Sequence, residues 1–103
     1  MMSLTRDRDF KKVYAQGRTV SNRHFKVKYI FNGLGLMRVA VVVPGRIATA
    51  VIRNRIRRRI IGAIRKLNID YFAIDVVIFP NLTAKNASFD SIFMSLKKIF
   101  EMA

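Results

Sequence analysis

Between Arg53 and Lys66 this 103-residue chain carries seven basic residues and no acidic one. Five of them, Arg53, Arg55, Arg57, Arg58 and Arg59, crowd around a single amide side chain, Asn54. A planar guanidinium makes paired hydrogen bonds to phosphate and stacks on bases, so arginine rather than lysine at all five sites suits a structured polyanion. Bond-breaking chemistry has poorer material: six scattered carboxylates, one histidine and no cysteine. That set offers no metal cluster, nucleophile–base pair or acid–base dyad able to cut a phosphodiester. His24, beside Arg23, reads as an ordinary surface or hydrogen-bonded histidine. Asp7 and Asp9 read as charges at the positive end of a helix and not as magnesium ligands. No catalytic and no metal-ligating residue is expected.

The charge is concentrated as well as large. Twenty Lys and Arg against six Asp and Glu give a net charge of +14 and a pI near 11.4. From Phe10 to Ile69 there are fifteen basic residues and no acidic one, a local charge of +15, while the remainder of the chain sums to −1. A surface that only needs solubility tolerates interspersed carboxylates, whereas one that attracts phosphates gains by excluding them. The expected partner is therefore nucleic acid, not a membrane or a small-molecule substrate.

Half of the residues are apolar, which argues for a folded chain, and the length suits one domain spanning 1–103. Lack of cysteine excludes disulfides, thiol nucleophiles and Cys-ligated zinc, and fits a reducing compartment. Apolar runs such as Val39–Pro44 fall far short of the roughly 18 residues of a spanning helix. The charged N-terminus is unlike a signal peptide. A cytoplasmic location is expected.

The elements that must position these residues follow from periodicity. Thr5 as N-cap, Asp7 and Asp9 in the first turn, Phe10, Val13 and Tyr14 on one face and Gly17 as the stop predict a short helix over Arg6–Gln16. A brief extended stretch, Arg18–Ser21, follows. From His24 to Phe31 the pattern alternates, with Phe25, Val27, Tyr29 and Phe31 facing one way and His24, Lys26, Lys28 and Ile30 the other. This predicts a strand with one buried face. Asn32, Gly33 and Gly35 mark a turn, after which Met37, Val39, Val41 and Val43 predict a strand returning antiparallel, ended by Pro44-Gly45.

Ala48, Ile52, Ile56, Ile60, Ala63, Ile64 and Leu67 form an apolar stripe at helical spacing, predicting a long helix over Ile47–Leu67. Its phase projects Asn54, Arg58 and Arg65 away from the stripe, with Arg55 and Arg57 flanking them and Arg53 and Arg59 at the stripe's edges. Asp75–Phe79 reads as a further strand. A final helix from about Ser88 places Phe89, Ile92, Phe93, Leu96, Ile99 and Phe100 on one core-packing face, and Phe25, Tyr29 and Phe31 are expected in the core with them. The order α-β-β-β-α-β-α predicts a small single-domain α+β sandwich, with helices on a mostly antiparallel sheet.

The segment Ala50-Val51-Ile52-Arg53-Asn54-Arg55-Ile56-Arg57-Arg58-Arg59 resembles the Arg-Asn-Arg signature helix of the bacterial ribonuclease P protein family. Asp9-Phe10-Lys11-Lys12-Val13-Tyr14 followed by Gly17 is similar to that family's first helix, and Asn22-Arg23-His24-Phe25 to its strand entry. Met37–Val43 and Phe89–Phe100 resemble the strand before the signature and the C-terminal helix. The chain departs from the family pattern at Pro44-Gly45-Arg46, where a Ser-Lys-Lys type turn is usual, and at Ala48, Ile61 and Gly62. Gly62 should weaken its helix by about 1 kcal/mol relative to alanine unless packing requires it.

The resemblance implies a protein subunit of ribonuclease P, an endoribonuclease ribonucleoprotein that removes the 5′ leader from precursor tRNA. It implies that the catalytic centre and the Mg²⁺ lie in the RNA subunit, and that the fold contains an unusual left-handed β-α-β crossover. By resemblance, Arg53, Asn54, Arg55, Arg57, Arg58, Arg59 and Arg65 would bind the catalytic ribonuclease P RNA. Phe10, Lys11, Tyr14, Lys26, Lys28 and Arg46 would bind the leader. The residues alone leave two alternatives open. One is a general RNA-binding or ribosome-associated protein without processing activity. The other, a membrane-surface binder, needs an exposed apolar face. For Phe10 and Tyr14 the plainer alternative is core packing.

Overall fold

Alternating and helical patterns resolve into one five-stranded sheet and three helices in the computed structural model, which describes residues 1–102. The chain runs β1 (Met2–Ser3), α1 (Asp7–Gln16), β2 (Arg18–Ser21), β3 (Phe25–Phe31), β4 (Arg38–Val41), α2 (Ala50–Leu67) and β5 (Ile74–Pro80). A 3₁₀ turn (Leu82–Asn86) and α3 (Phe89–Met102) complete it. The α+β class holds; β1 and the 3₁₀ turn are additional to the predicted order.

The strands lie in the order β1-β4-β5-β3-β2. Pairing is antiparallel for β2–β3 and β3–β5 and parallel for β1–β4 and β4–β5, so the sheet is mixed and not mostly antiparallel. β4 runs back against the direction of β3, as expected, yet does not pair with it. β5 enters between them, placing Phe79 opposite Lys26, Val77 opposite Lys28, and Val76 opposite Val39. The physical reason lies in composition: Val76, Val77 and Ile78 are all buried, the two-sided apolar character of a central strand. Gly33 and Gly35, both near φ +70°, let the intervening loop span the extra width. The β4–α2–β5 unit is the parallel crossover on which the handedness expectation falls.

Two layers cover the sheet. On one face α2 and α3 bury Ile56, Ile60, Ile64, Ile92, Leu96 and Ile99 against Phe25, Val27, Val76 and Ile78. On the other, α1 seats Val13 against Leu4 and Val77, with Phe10, Ile30 and Phe79 half-buried around them. β3 is thus covered on both faces for part of its length. Its last residue, Phe31, expected in the core, is 73% exposed because neither layer extends beyond it.

The helix ends differ from expectation in instructive ways. Arg6, not Thr5, is the N-cap of α1, and it makes no side-chain cap hydrogen bond. Gly17 ends α1 for lack of space: a Cβ there would lie 2.4 Å from the Val13 carbonyl oxygen and 3.0 Å from that of Tyr29. α2 starts at Ala50 instead of Ile47, because residues 44–48 form a turn and the Thr49 hydroxyl accepts from the Ile52 amide.

Candidate nucleic-acid interface

α1 and the sheet face beneath it form a groove with an aromatic floor. Phe10 and Tyr14 lie one turn apart with ring centroids 6.1 Å apart, and Tyr14 is 6.2 Å from Phe79. Lys28 Nζ lies 6.0 Å from the Tyr14 ring centre and Lys26 Nζ 5.5 Å from that of Phe79. The register explains the grouping, since Lys26 faces Phe79 and Lys28 faces Val77 across the β3–β5 pair. Tyr14 is 46% exposed, which separates it from a core ring. Beyond Phe79 the groove opens into a hollow of about 470 Å³ bordered by Lys26, Arg46, Ile47 and Leu82. Lys11 is exposed on α1 beside Phe10.

The predicted phase of α2 is the observed one. Ile56, Ile60, Ala63 and Ile64 are buried, whereas Asn54, Arg55, Arg58 and Arg65 are exposed. Arg57 is half-buried, donates to Asn54 Oδ1 at 3.0 Å, and borders a hollow shared with Phe10 and Val41. It therefore stands between the two basic surfaces. Arg53 and Arg59 carry a structural load: Arg53 Nη1 donates to the Ala48 carbonyl at 2.9 Å, and Arg59 Nη1 to the Ala87 carbonyl at 3.0 Å. One guanidinium fastens the turn that carries Arg46, and the other fastens α2 to the start of α3.

Four polar side chains hold α1 over the sheet. Arg38 on β4 donates through Nε to Asp75 Oδ1 at 2.7 Å and through Nη2 to Oδ2, and its Nη1 reaches Asp9 Oδ2 at 3.3 Å. Asn32 Nδ2 donates to the same Asp75 carboxylate at 2.9 Å. Burial works to raise the Asp75 carboxyl. The hydrogen bonds from Arg38 and Asn32, with the Arg38 charge, outweigh it and hold the group below the usual carboxylate range. Arg38 is shifted upward, first by its hydrogen bond to Asp75. Asp9 is thus both a helix N-terminal charge and an ion-pair partner. His24 Nδ1 lies 2.9 Å from Thr83 Oγ1. Among the described residues, no three His, Cys, Asp or Glu gather as a metal site, and no helix is long and apolar enough to cross a membrane.

The ribonuclease P family model matches residues 1–103. The chain belongs to the ribonuclease P protein family. It is similar to the ribonuclease P protein component of Clostridioides difficile, 34% identical over 99 residues that cover 93% of this chain and 86% of that one. The component from Carboxydothermus hydrogenoformans is 32% identical over 102 residues, covering 96% and 88%. The solved Staphylococcus aureus RNase P protein superposes with a TM-score of 0.88 at 25% identity, covering 99% of this chain and 94% of that one. The Thermotoga maritima RNase P protein shares the fold, with a TM-score of 0.89 at 21% identity over 100% and 98% of the two chains. Membership makes this chain the protein subunit of a ribonucleoprotein endoribonuclease with an RNA partner and a role in tRNA processing.

Two residues of the site, Phe79 and Arg38, do not stand out in the sequence. Phe79 reads only as the end of a strand, although its alternation with Val77 and Asp75 already places it on a face distinct from Val76 and Ile78. Arg38 is lost among fifteen basic residues. The available signal is Asp75 on an otherwise apolar strand, since a buried carboxylate requires a cationic or hydrogen-bonding partner.

Proposed function

We propose that this chain is a single RNA-binding domain of a cytoplasmic ribonuclease P holoenzyme that holds two RNAs on separate surfaces. Asn54, Arg55, Arg58 and Arg65, flanked by Arg53, Arg57 and Arg59, dock on the ribonuclease P RNA. The groove under α1 holds the single-stranded 5′ leader of precursor tRNA, with Phe10, Tyr14 and Phe79 as stacking platforms and Lys11, Lys26, Lys28 and Arg46 as phosphate contacts. The observation that carries this reading is the row of three rings, two of which, Tyr14 and Phe79, each have a lysine ammonium within 6.0 Å of the centre. Such a row suits unpaired bases, because each offers a π-face to a ring and a phosphate to an ammonium.

Endonucleolytic cleavage is assigned to the RNA. The described residues do not fit a magnesium site, since no three His, Cys, Asp or Glu gather and the two neighbouring carboxylates Asp9 and Asp75 are committed to Arg38. The Mg²⁺ that the holoenzyme requires is therefore assigned to the RNA, and no step here runs through it. This chain binds and orients the leader.

The test replaces Phe10 and Tyr14 by alanine in reconstituted holoenzyme and compares dissociation constants for precursor and mature tRNA at one salt concentration. At roughly 1–3 kcal/mol per stacked base, precursor affinity should fall at least about tenfold while mature tRNA binding is unchanged. Tyr14→Ala alone, at the exposed ring, guards against a folding defect in the double variant. An unchanged ratio with normal assembly returns both rings to a packing role. A general RNA-binding protein would also fail to improve precursor cleavage by a bacterial ribonuclease P RNA at low magnesium.

A further inference from the structure

A second aromatic surface lies where β3 ends. Phe31 is 73% exposed and Tyr71 68% exposed, unusual for rings on a chain with this much core. Their positions are fixed by the backbone around them. Asn68, at φ 58°, ends α2 in the left-handed conformation, Ile69 is buried, and the Phe72 amide donates to the Ile69 carbonyl at 3.0 Å. Tyr71 is turned outward by that loop and packs edge-to-face on Phe72 at 5.0 Å. Phe31, Tyr71, Tyr29 and Phe72 border a groove of about 370 Å³. Through Tyr29 and Phe31 it joins a hollow of about 230 Å³ lined by Arg18, Ile30 and Gln16, the last residue of α1. Tyr29 and Phe31 belong to the α2–α3 face and Ile30 to the α1 face, and β2 stops pairing at Arg18, opposite Tyr29. This hollow therefore leads from the end of the α1 groove around the free edge of β3 to the second surface.

We propose that Phe31 and Tyr71, with Arg18 beside them, form a second stacking site that takes the distal bases of a long 5′ leader. This rests on the α1 groove holding the proximal part of the same strand. Charge and area select the occupant. A second copy of the chain would bring another +14 against the +14 already present. At the exposures quoted, the two rings offer about 300 Å² in all, against the roughly 800 Å² per partner of a stable protein interface. A strand of unpaired bases needs only ring faces and a nearby cation, which Arg18 supplies. Asp70, next to Tyr71, lies 4.0 Å from the N-terminal ammonium of Met1, which offsets its charge. Lys28 and Phe31 lie three strand residues apart, roughly 10 Å, and on opposite faces, so the passage around the strand edge adds about 10 Å more and about six stacked nucleotides separate the two sites. Only leaders extending beyond the groove can reach the site.

The test uses reconstituted holoenzyme and precursor tRNAs with leaders of about 4 and about 12 nucleotides. Phe31→Ala with Tyr71→Ala should weaken binding of the long-leader precursor about tenfold and leave the short-leader precursor unchanged. Phe10→Ala with Tyr14→Ala should weaken both. A 2-aminopurine in the distal leader should be quenched by the native holoenzyme and bright with the Phe31/Tyr71 variant. Tyr71→Ala alone keeps the measurement valid if the double variant melts early. A long-leader affinity unchanged from that of the native holoenzyme in the Phe31/Tyr71 variant, with the probe still quenched, overturns the second site while leaving the α1 groove intact. Weakening that extends equally to mature tRNA overturns it as well, placing these rings against the RNA subunit. Loss of a dimer in the variant, seen by light scattering, overturns it in favour of self-association. If only the Phe10/Tyr14 variant is without effect, the groove reading fails instead.

Discussion

Replacing Arg38 by methionine should unfold this protein more readily than any change to its exposed arginines. The Asp75 side chain is 6% exposed and that of Arg38 21% exposed, so the pair is largely withdrawn from water. Removing one partner of such a pair costs about 3–5 kcal/mol, because the remaining charge stays buried. Asn32 would still donate to Asp75, and the site is not fully dry, so the low end applies, about 3 kcal/mol. At roughly 4–8 °C per kcal/mol for a domain of this size, the melting midpoint should fall by at least about 12 °C. Arg38→Met with Asp75→Val should recover most of the loss, since an ion pair exchanged for apolar side chains is often neutral. Asn32 would keep its hydrogen bond to the Leu36 carbonyl. Thermal and urea unfolding of the three proteins at pH 7 measures this. A single variant melting within about 3 °C of the native protein, or a double variant no better than the single, refutes the reasoning.

The same cluster sets an acid limit. The folded Asp75 carboxyl lies below its unfolded value, so its contribution is complete above about pH 4 and is lost as pH falls through the folded value. The native protein should lose stability below that point more steeply than the Arg38→Met/Asp75→Val variant. The single Arg38→Met variant should show the opposite trend over the same interval, because protonation relieves its unpaired carboxylate. Asn54→Ala with Arg58→Ala should weaken docking on ribonuclease P RNA with no change in melting temperature, since both side chains are exposed. The salt dependence of RNA binding should become shallower by about 0.7–0.9 for each phosphate no longer neutralised, and an unchanged slope shows that Arg58 meets no phosphate. Two glycine substitutions should act in opposite directions in urea unfolding. Gly17→Ala forces a Cβ to 2.4 Å from the Val13 carbonyl and should cost at least about 1–3 kcal/mol. Gly62→Ala meets Phe89 at an ordinary 3.7 Å and should stabilise α2 by about 0.5–1 kcal/mol.

What the sequence determined by itself was what repeats along the chain. The period of α2 dictates that Ile56, Ile60 and Ile64 enter the core while Asn54, Arg58 and Arg65 remain exposed, and the alternation of β3 dictates that Lys26 and Lys28 share a face. Helix and strand periods are set by local backbone geometry, so no distant residue is needed to read them. The concentration of charge from Phe10 to Ile69 is likewise visible without a fold. What only the tertiary structure decided was which distant segments meet. The insertion of β5 between β3 and β4 brings Phe79 under Tyr14 and Asp75 onto Arg38, 37 residues away in the chain. The extent of the two helical layers leaves Phe31 uncovered where apolar alternation alone would bury it, and the packing of the ends of α2 and α3 turns Arg53 and Arg59 toward backbone carbonyls when their charge alone would assign them to RNA. Those outcomes depend on which side chains fill one shared volume and which polar groups remain to be satisfied once it is filled, and neither quantity is a function of local sequence.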